Sequence, residues 1–446
     1  MQRRLVWMGR ILMVAAFFCG VVICSRAQSG DENQTPPDRP APEARSIEDL
    51  NYLGGAAALP LFSDSIIDVH SRFRQQMYRK GLALRVMAGP QYTQNMLDAP
   101  VAADEQVYVG QRQFASMFAQ PILSWDMRQL NLRRAQLYVG AALQWASWRP
   151  AGPKTTQLWA LYFYKEFARD RVELKTGYIA HNMNFVGLFV GGSTAAAAQG
   201  VYAVLPFEAG MSYYPLTAPA LDLRVRATEH VYWKGAAQRS IDPEGGVREV
   251  ERNHTGFRFI PRGDRLVLIN EVGYQRAAAA DLPQTWFRAG YIENTTGYTN
   301  ARNGRVEPGN HCAYVLMDRQ LHQSSREHPD RGVYVGGSAM AVPESKNAYA
   351  HYYEARLYKE APFRARPSDM ATVVASRTGY SSVITNNFVA GGKTVWRAGT
   401  TVTGSYSLRT GPGSYLCLGV GYLHGPAITP RVPSALTFTA GWNLFF

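Results

Sequence analysis

The chain has 446 residues, of which 46% are hydrophobic and 18% are charged, and its formal net charge is +13. It is too hydrophobic for an intrinsically disordered chain, and its 4 cysteines are too few for a disulfide-rich scaffold. Its mean hydropathy of -0.22 excludes a polytopic helical membrane protein, whereas its 25 tyrosines, 19 phenylalanines and 9 tryptophans suit strands that cross a lipid interface.

The first 27 residues are predicted to be a signal peptide. Three arginines at positions 3, 4 and 10 precede a short apolar run, Ile11–Cys24, and Ser25-Arg26-Ala27 places small residues at both positions that a signal peptidase recognises. The apolar run is too short for a spanning helix, which needs about 20 residues. Cleavage after Ala27 would remove four arginines and no acidic residue, so the net charge would fall from +13 to +9.

Residues 28–60 are predicted to be a Pro-rich periplasmic leader, because the sequence up to Ser46 is charged and offers almost nothing to bury. A single short helix is predicted over 64–80, where four apolar residues lie near one face and Gly81 provides the stop. One amphipathic helix cannot form a domain by itself. It must pack against the following domain or plug it, and the sequence leaves both arrangements open.

From residue 82 onward, short alternating segments are separated by Gly, Pro, Asn and Asp. Seventeen strand candidates lie near 82–96, 105–117, 132–148, 157–168, 171–182, 206–215, 220–233, 255–262, 264–276, 284–293, 309–322, 331–341, 349–363, 370–381, 396–410, 413–424 and 434–446. Bacterial single-chain barrels have an even number of strands, so one candidate, 82–96 or 206–215, is expected to be wrong or split. The predicted fold over 61–446 is all-β: a transmembrane antiparallel β-barrel of about 16 strands with a short N-terminal helix.

The last segment, Ser434–Phe446, supports the membrane assignment most strongly. Even positions from Leu436 carry Leu, Phe, Ala, Trp, Leu and Phe, whereas positions 437, 439, 441 and 443 carry Thr, Thr, Gly and Asn. Because side chains alternate across a strand, one face is apolar and the other is polar or small. A β-sandwich edge of this kind would aggregate in water, but in a closed membrane barrel the apolar face meets lipid. The terminal Phe446 is typical of outer-membrane barrels.

Charged residues in other segments lie opposite an apolar face. Arg224 and Arg226 alternate with Leu223 and Val225, and the segment 264–276 keeps this alternation only with a slip near Asn270, which predicts a bulge or a strand end. A charge that faces lipid at the bilayer midplane costs about 2–4 kcal/mol. We therefore expect these charged residues to face a wet interior: Arg224, Arg226, Glu271 and Arg288.

Five segments in order resemble the carbohydrate-selective porins of the OprB type. Leu61–Leu97 is similar to the family's opening, which has a short helix near an Asp, then a Gly and a first strand. Leu158–Phe185 resembles its paired strands before an aromatic loop, and Asn270–Tyr291 contains an E-x-G-Y element followed by W-x-R-x-G-Y. Tyr314–Gln320 resembles Y-x-x-x-D-x-Q, and Tyr353–Asp369 resembles a strand that ends in G-P-x-x-x-R-P-x-D, with Ala in place of that Gly.

The resemblance implies an outer-membrane porin through which mono- and oligosaccharides diffuse passively, without a reaction, a cofactor or a metal. Its partners would be small neutral sugars and outer-membrane lipid. A sugar channel needs hydrogen-bonding groups, aromatic rings and opposed charges. The predicted constriction and substrate contacts are Arg224, Arg226, Glu271 and Arg288. The same side chains could instead brace the wall through salt bridges, and the sequence does not separate these two roles.

An anion-selective or general solute porin is the main alternative, because the mature chain is basic. Nucleic-acid binding is disfavoured, because a basic surface for nucleic acid would have little use in an exported protein. An adhesion barrel is a third alternative, and it predicts no conductance. An enzyme is disfavoured because the nine histidines lack metal-binding spacing and no Gly-x-Ser-x-Gly motif occurs. The sequence leaves open the preferred sugar, the choice between monomer and homotrimer, the pairing of Cys312 with Cys417, and an inward loop over 185–206.

Overall fold

The computed structural model describes residues 47–50, 60–97, 101–148, 155–168, 171–186, 204–260 and 263–446. Sixteen antiparallel strands close into one barrel, in which each strand pairs with its neighbours in sequence and β1 pairs with β16. The strands are β1 (Leu82–Asn95), β2 (Phe114–Asp126), β3 (Ala135–Ala146), β4 (Thr155–Phe167), β5 (Val172–Ile179), β6 (Ala218–Arg226), β7 (Val231–Arg239), β8 (Leu266–Arg276), β9 (Thr285–Thr299), β10 (Val306–Gln323), β11 (Gly332–Ala341), β12 (Tyr349–Glu360), β13 (Met370–Tyr380), β14 (Ala398–Gly411), β15 (Ser414–His424) and β16 (Ala435–Phe445). The predicted fold class is confirmed.

The two faces of the strands follow the predicted alternation. In β16, Thr437 and Thr439 point into the barrel and are fully buried, whereas Trp442 points outward and is 42% exposed. Thr439 and Thr93 of β1 bring their hydroxyl oxygens within 3.0 Å of each other across the seam that closes the barrel. Closure gives every strand a neighbouring strand on both sides, which is the condition for a β structure in lipid.

Two strand candidates are wrong. Residues 206–215 lie inside the barrel and begin in a helix, and residues 255–260, the described part of the candidate 255–262, form a loop. Periodicity could not exclude either segment, because a short run with large apolar residues has the same pattern in a strand and in a loop, whether the loop is buried, as at 206–215, or exposed, as at 257–260. The candidate 220–233 is a hairpin, since β6 and β7 are joined by a turn over 227–230.

Two smaller predictions also need correction. β2 begins at Phe114, well after the predicted start at residue 105, and 82–96 is a true strand. β8 pairs without a register shift with both neighbours, so the bulge or strand end predicted near Asn270 is wrong. Asn270 lies on the outward face between Leu268 and Val272, and it is a polar residue in an otherwise apolar row.

The N-terminal helix, α1 (Arg72–Arg79), is shorter than the predicted 64–80. It begins after Ser71, whose hydroxyl caps the N–H of Arg74 at 3.4 Å. The preceding stretch cannot continue the helix because it is bound to the barrel end: the carboxylate of Asp64 accepts hydrogen bonds from the guanidinium of Arg409 at 2.6 Å and from the N–H of Gly413 at 3.0 Å.

Among the described residues, the remaining helices lie in the connections between strands, except for one 3-10 helix that precedes β1. They are α2 (Val204–Glu208), α3 (Gly246–Arg252) and α4 (Ser382–Ala390), with 3-10 helices at Ile47–Leu50, Met127–Leu130 and His181–Met183. In the part of the chain that the structure describes, no helix is both long and apolar enough to cross a membrane. Cys312 and Cys417 are buried free thiols. Residues 1–27 and most of the leader 28–60 lie outside the described residues.

The two ends of the barrel differ in the length of their connections. β1, β5, β7 and β13 end at one end of the barrel and are each followed by 17 or more residues before the next strand, whereas the turns 227–230 and 412–413 are at the other end. Outer-membrane barrels place long loops outside the cell and short turns in the periplasm. We therefore call the end with the long connections the outer end. Leu50 lies at the opposite mouth, where its carbonyl oxygen accepts a hydrogen bond from the inward-facing hydroxyl of Ser124 at 3.2 Å.

An arginine placed on the outside of the wall should destabilise the barrel much more than one placed inside at the same level. Leu418 of β15 faces outward, and Ser405 of β14, which pairs with its neighbour Gly419, faces inward. We expect Leu418→Arg to lower the free energy of unfolding in bilayers by about 2–4 kcal/mol, because its charge would face hydrocarbon. Urea titration of vesicle-inserted protein measures the effect, and an equal loss for Ser405→Arg would contradict the assignment of faces.

Candidate solute channel

The connection between β5 and β6 narrows the bore, because residues 204–217 cross it. We call these residues the crossing segment. At one side the ring of Tyr214 packs edge-on against Phe118 of β2, with 6.3 Å between ring centroids. At the other side Asn310 of β10 donates to the carbonyl oxygen of Glu208 at 3.1 Å. Since β2 and β10 lie on opposite sides of a sixteen-strand barrel, the crossing segment spans the lumen.

Buried amide side chains hold the crossing segment against β7 and β9. The side-chain oxygen of Gln238 accepts from both the N–H and the hydroxyl of Ser212, at 3.1 and 2.9 Å. Asn294 donates to the carbonyl oxygen of Ala209 at 2.9 Å. Gln238 and Asn294 are almost fully buried, so these bonds are shielded from water and their loss would be costly.

Residues 181–186, which follow β5, lie on the inner wall, and we call them the wall segment. Lys175 donates to the side-chain oxygen of Asn184 at 2.9 Å, and Lys234 donates to the carbonyl oxygen of the same residue at 2.7 Å. The carboxylate of Asp222 accepts from Asn184 at 2.9 Å and contacts the His181 ring nitrogen at 2.6 Å. Two cations and one carboxylate from three strands therefore fix the position of the wall segment.

The predicted site residues Arg224 and Arg226 lie on the inner face of β6 and point toward the open part of the bore. Both donate to the same carboxylate oxygen of Glu173, at 3.3 and 3.1 Å. Their side chains are 19% and 38% exposed. The guanidinium of Arg224 also lies over the ring of Tyr232, 4.6 Å from its centroid. These two arginines keep donors available to a solute in the lumen.

The predicted site residues Glu271 and Arg288 lie deeper, and each is 1% exposed. The carboxylate of Glu271 accepts from the hydroxyls of Tyr232 and Tyr314, both at 3.0 Å. The guanidinium of Arg288 lies 4.0 Å from the ring of Trp286 and donates to the carbonyl oxygen of Phe185 in the wall segment. Glu271 and Arg288 are therefore packed into the wall, with Arg288 bound beneath the wall segment.

Tyr232 links the four predicted residues into one cluster. Its ring lies under Arg224, its hydroxyl donates to Glu271, and it accepts a hydrogen bond from the indole N–H of Trp286, the ring against Arg288, at 3.0 Å. Arg226 belongs to the same cluster because it donates to the Glu173 carboxylate that also accepts from Arg224. The structure thus connects all four through a continuous set of contacts, in which Trp286 joins Arg288 to Tyr232 and Glu173 joins Arg226 to Arg224; two of the four are exposed to the bore and two are shielded.

Sequence reasoning missed part of this lining. The additional charged residues on the same wall are Glu173, Lys175 and Lys234. In β5, Glu173 and Lys175 alternate with Val172 and Leu174, so the period of two could have placed both inside. A second charged group lies on the adjoining wall, where Arg356 of β12 donates to Asp318 of β10 and to Glu354, each at 2.6 Å; sequence reasoning missed Arg356 and Glu354.

The chain was next compared with known proteins. The model of the carbohydrate-selective porin family, OprB family, matches residues 91–427. The chain belongs to this family. OprB of Pseudomonas putida in its high-pH structure is 13% identical, with a TM-score of 0.73 over 86% of this chain and 98% of that one. The low-pH structure of the same protein is 12% identical, with a TM-score of 0.54 over 86% and 99%. No curated protein sequence matches the chain.

Membership of the OprB family identifies the barrel as an outer-membrane porin, and the likeness to the solved OprB structures confirms the fold. The predicted family and location are thereby confirmed. The described residues of this OprB-family chain contain no group of three or more His, Cys, Asp or Glu side chains that could hold a metal. The lumen offers charged, amide, hydroxyl and aromatic side chains, which are groups capable of hydrogen bonding and stacking.

The crossing segment of this porin should loosen at alkaline pH. Burial raises the pKa of Glu208 to about 8, although the N–H groups of Ala348 and Tyr349 donate to its carboxylate at 3.2 and 3.3 Å and oppose the shift. A carboxyl group with a raised pKa stabilises the folded state below its ordinary pKa and loses this effect as pH rises through the raised value. We expect channel current fluctuations to increase from the ordinary pKa of 4.5 up to about pH 8 and to change little above that. Glu208→Gln should abolish the increase, and an unchanged pH dependence in that variant would contradict it.

Proposed function

We propose that this porin passes mono- and oligosaccharides by passive, sugar-selective diffusion, with no chemical step. The observation that supports the proposal most directly is the exposed pair Arg224 and Arg226 beside the ring of Tyr232 on the inner wall, near the short-turn end of β6. Guanidinium groups donate several hydrogen bonds to hydroxyls, and an aromatic ring stacks on the apolar face of a sugar. Family membership supports the same substrate class.

The four predicted residues have two roles in this proposal. Arg224 and Arg226 contact the solute directly, because their side chains are exposed to the bore. Glu271 and Arg288 are shielded from the lumen and act indirectly. Glu271 orients Tyr232, and Arg288 holds the carbonyl of Phe185. The shared carboxylate of Glu173 balances part of the cationic charge, so the pair offers donors to a neutral solute without forming a strong anion trap.

Liposome swelling tests the proposal. Vesicles that contain the porin are placed in equally concentrated solutions of a graded series of neutral sugars or of polyethylene glycols matched to them in hydrodynamic radius. We expect the sugars to enter faster than the matched glycols, because only sugars use the lumenal donors and the ring. Equal entry rates for sugars and glycols at every size would show that the channel selects solutes by size alone, which would contradict sugar selectivity.

An anion-selective porin is the second candidate, because cations outnumber carboxylates in the cluster. Five cationic side chains share this wall with three carboxylates; they are Lys175, Arg224, Arg226, Lys234 and Arg288, against Glu173, Asp222 and Glu271. Lys175, Lys234 and Arg288 are nevertheless buried and already bound to the wall segment. Only the two exposed arginines would act on a passing ion, which favours the sugar channel.

We also propose that residues 1–27 direct export and are removed. The basic start, short apolar run and small residues before position 28 support this proposal. The intact mass of the protein purified from outer membranes tests it: a chain that begins at Gln28 is expected, and retention of Met1 would contradict it.

A further inference from the structure

The connection between β7 and β8, residues 240–265, begins inside the barrel. Its helix α3 is held there by Arg239, which donates to Glu249 at 2.6 Å and to Asp264 at 2.8 Å. All three side chains are at most 3% exposed. Both ends of the connection are therefore fixed at the outer end of the wall, and the residues between them are positioned by a rigid base.

After α3 the chain leaves the barrel through a notch in the rim. β5 pairs with β4 only as far as Leu161 and Tyr178, so the first residues of β4 lack a strand partner on that side. The connection fills this gap, because the N–H of Leu158 donates to the carbonyl oxygen of Thr255 at 3.0 Å. Gln157, whose side chain points inward, donates to the carbonyl oxygen of Asn253 at 3.2 Å.

Beyond the notch the chain lies on the outside of the wall. Tyr178 alternates with the inward-facing Ile179 and therefore points outward. Its hydroxyl donates to the carbonyl oxygen of Phe257 at 2.6 Å, and the two rings pack edge-to-face with 6.0 Å between centroids. Residues 257–260, which we call the rim tip, are thus directed to the outer surface of the barrel.

The rim tip consists of large apolar side chains around one cation. Phe257, Phe259 and Ile260 are 54%, 66% and 68% exposed, and Arg258 is exposed between the two phenylalanines. Among the described residues, no hydrogen bond or ion pair involves the guanidinium of Arg258. Three adjacent large apolar side chains on the surface indicate a partner.

We propose that the rim tip inserts into the outer leaflet of the membrane and that Arg258 binds a phosphorylated lipid head group there. The tip is continuous with the lipid-facing wall through Tyr178, and aromatic residues concentrate at the level of the head groups. Arginine suits this position because its planar guanidinium donates paired hydrogen bonds to phosphate. A second copy of the chain is disfavoured as the occupant, since four residues are far from the roughly 1,000 Å² that a stable interface buries.

Spin-label accessibility tests the insertion. The label is attached to Phe259→Cys and compared in lipid A-containing vesicles with Val272→Cys, on the outward face of β8, and with Lys393→Cys, on an exposed outer connection. The native Cys312 and Cys417 are buried, and labelled wild-type protein controls for their reactivity. We expect the ratio of oxygen to nickel-chelate accessibility at 259 to lie well above that at 393 and below that at 272, because the rim tip would lie near the head groups and Val272 lies deeper in the wall.

A ratio at 259 that matches the water-exposed label at 393 would overturn the proposal. Spin–spin broadening that disappears on dilution with unlabelled protein would also overturn it, because it would assign the tip to a second copy. For the phosphate contact, Arg258→Gln is combined with the label at 259, with Arg302→Gln as the control in another outer turn. We expect Arg258→Gln to shift the label toward water in lipid A vesicles and not in vesicles of a phosphate-free glycolipid. The same shift in both lipids, or none in either, would exclude the head-group contact.

Discussion

Replacing Arg224 and Arg226 together by glutamine is expected to weaken the block of ion current by sugars by roughly tenfold or more, because hydrogen bonds to charged groups contribute about 1.5–3 kcal/mol each. The two guanidinium groups are the exposed donors of the cluster, and Glu173 is their shared acceptor. The substitution also removes two positive charges from the bore. We therefore expect the reversal potential in a salt gradient to move toward cation preference. Noise analysis of sugar-induced current block in planar bilayers measures the binding strength.

A matched control separates the lumenal position from the change in net charge. Arg305 and Arg326 are exposed in turns at opposite ends of the barrel, and their replacement by glutamine removes the same two charges outside the channel. The control variant should keep the sugar block and the reversal potential of the unmodified porin. If it loses both to the same extent as the lumenal variant, the block does not depend on Arg224 and Arg226.

Replacing Gly210 by alanine is expected to displace the crossing segment and to raise the single-channel conductance. Gly210 has a φ of +90°, and an added Cβ would lie 2.2 Å from the side-chain nitrogen of Asn294 and 2.5 Å from the hydroxyl of Ser240. Both neighbours are fully buried and bonded to each other, so they cannot move aside cheaply. Overpacking of this kind costs about 1–3 kcal/mol, in addition to the cost of the left-handed backbone.

Gly392 provides the control for backbone strain. Its φ is +74°, and an added Cβ would meet nothing within 4 Å. Gly392→Ala should therefore incur the backbone cost without opening the bore, and its conductance should equal that of the unmodified porin. If Gly210→Ala conducts like Gly392→Ala and selects sugars normally, the crossing segment does not set the width of the channel.

Sequence patterns predicted the wall better than the connections, for a physical reason. Contact with lipid on one side and with a polar lumen on the other forces a period of two, and this period located β16 and its faces residue by residue. The crossing segment escapes this rule because it is buried on all sides. Its apolar residues from Val204 to Leu216 give no alternation that separates a strand from an inward loop.

The candidate site was predictable only in part for the same reason. Arg224, Arg226, Glu271 and Arg288 lie on strands, so alternation placed them on the inner face. Their exposure depends on the wall segment, where the carbonyl of Phe185 binds Arg288. No local pattern reveals which side chain a loop will bind, and so the division between two exposed and two shielded residues required the structure.

The proposed sugar channel is tested most directly by one planar-bilayer measurement, in which the reversal potential in a salt gradient is recorded while a neutral oligosaccharide is added to one side. We expect a weak ion preference and a current that falls in a saturable manner as the sugar concentration rises. Strong anion selectivity with no effect of the sugar at any concentration would contradict the account.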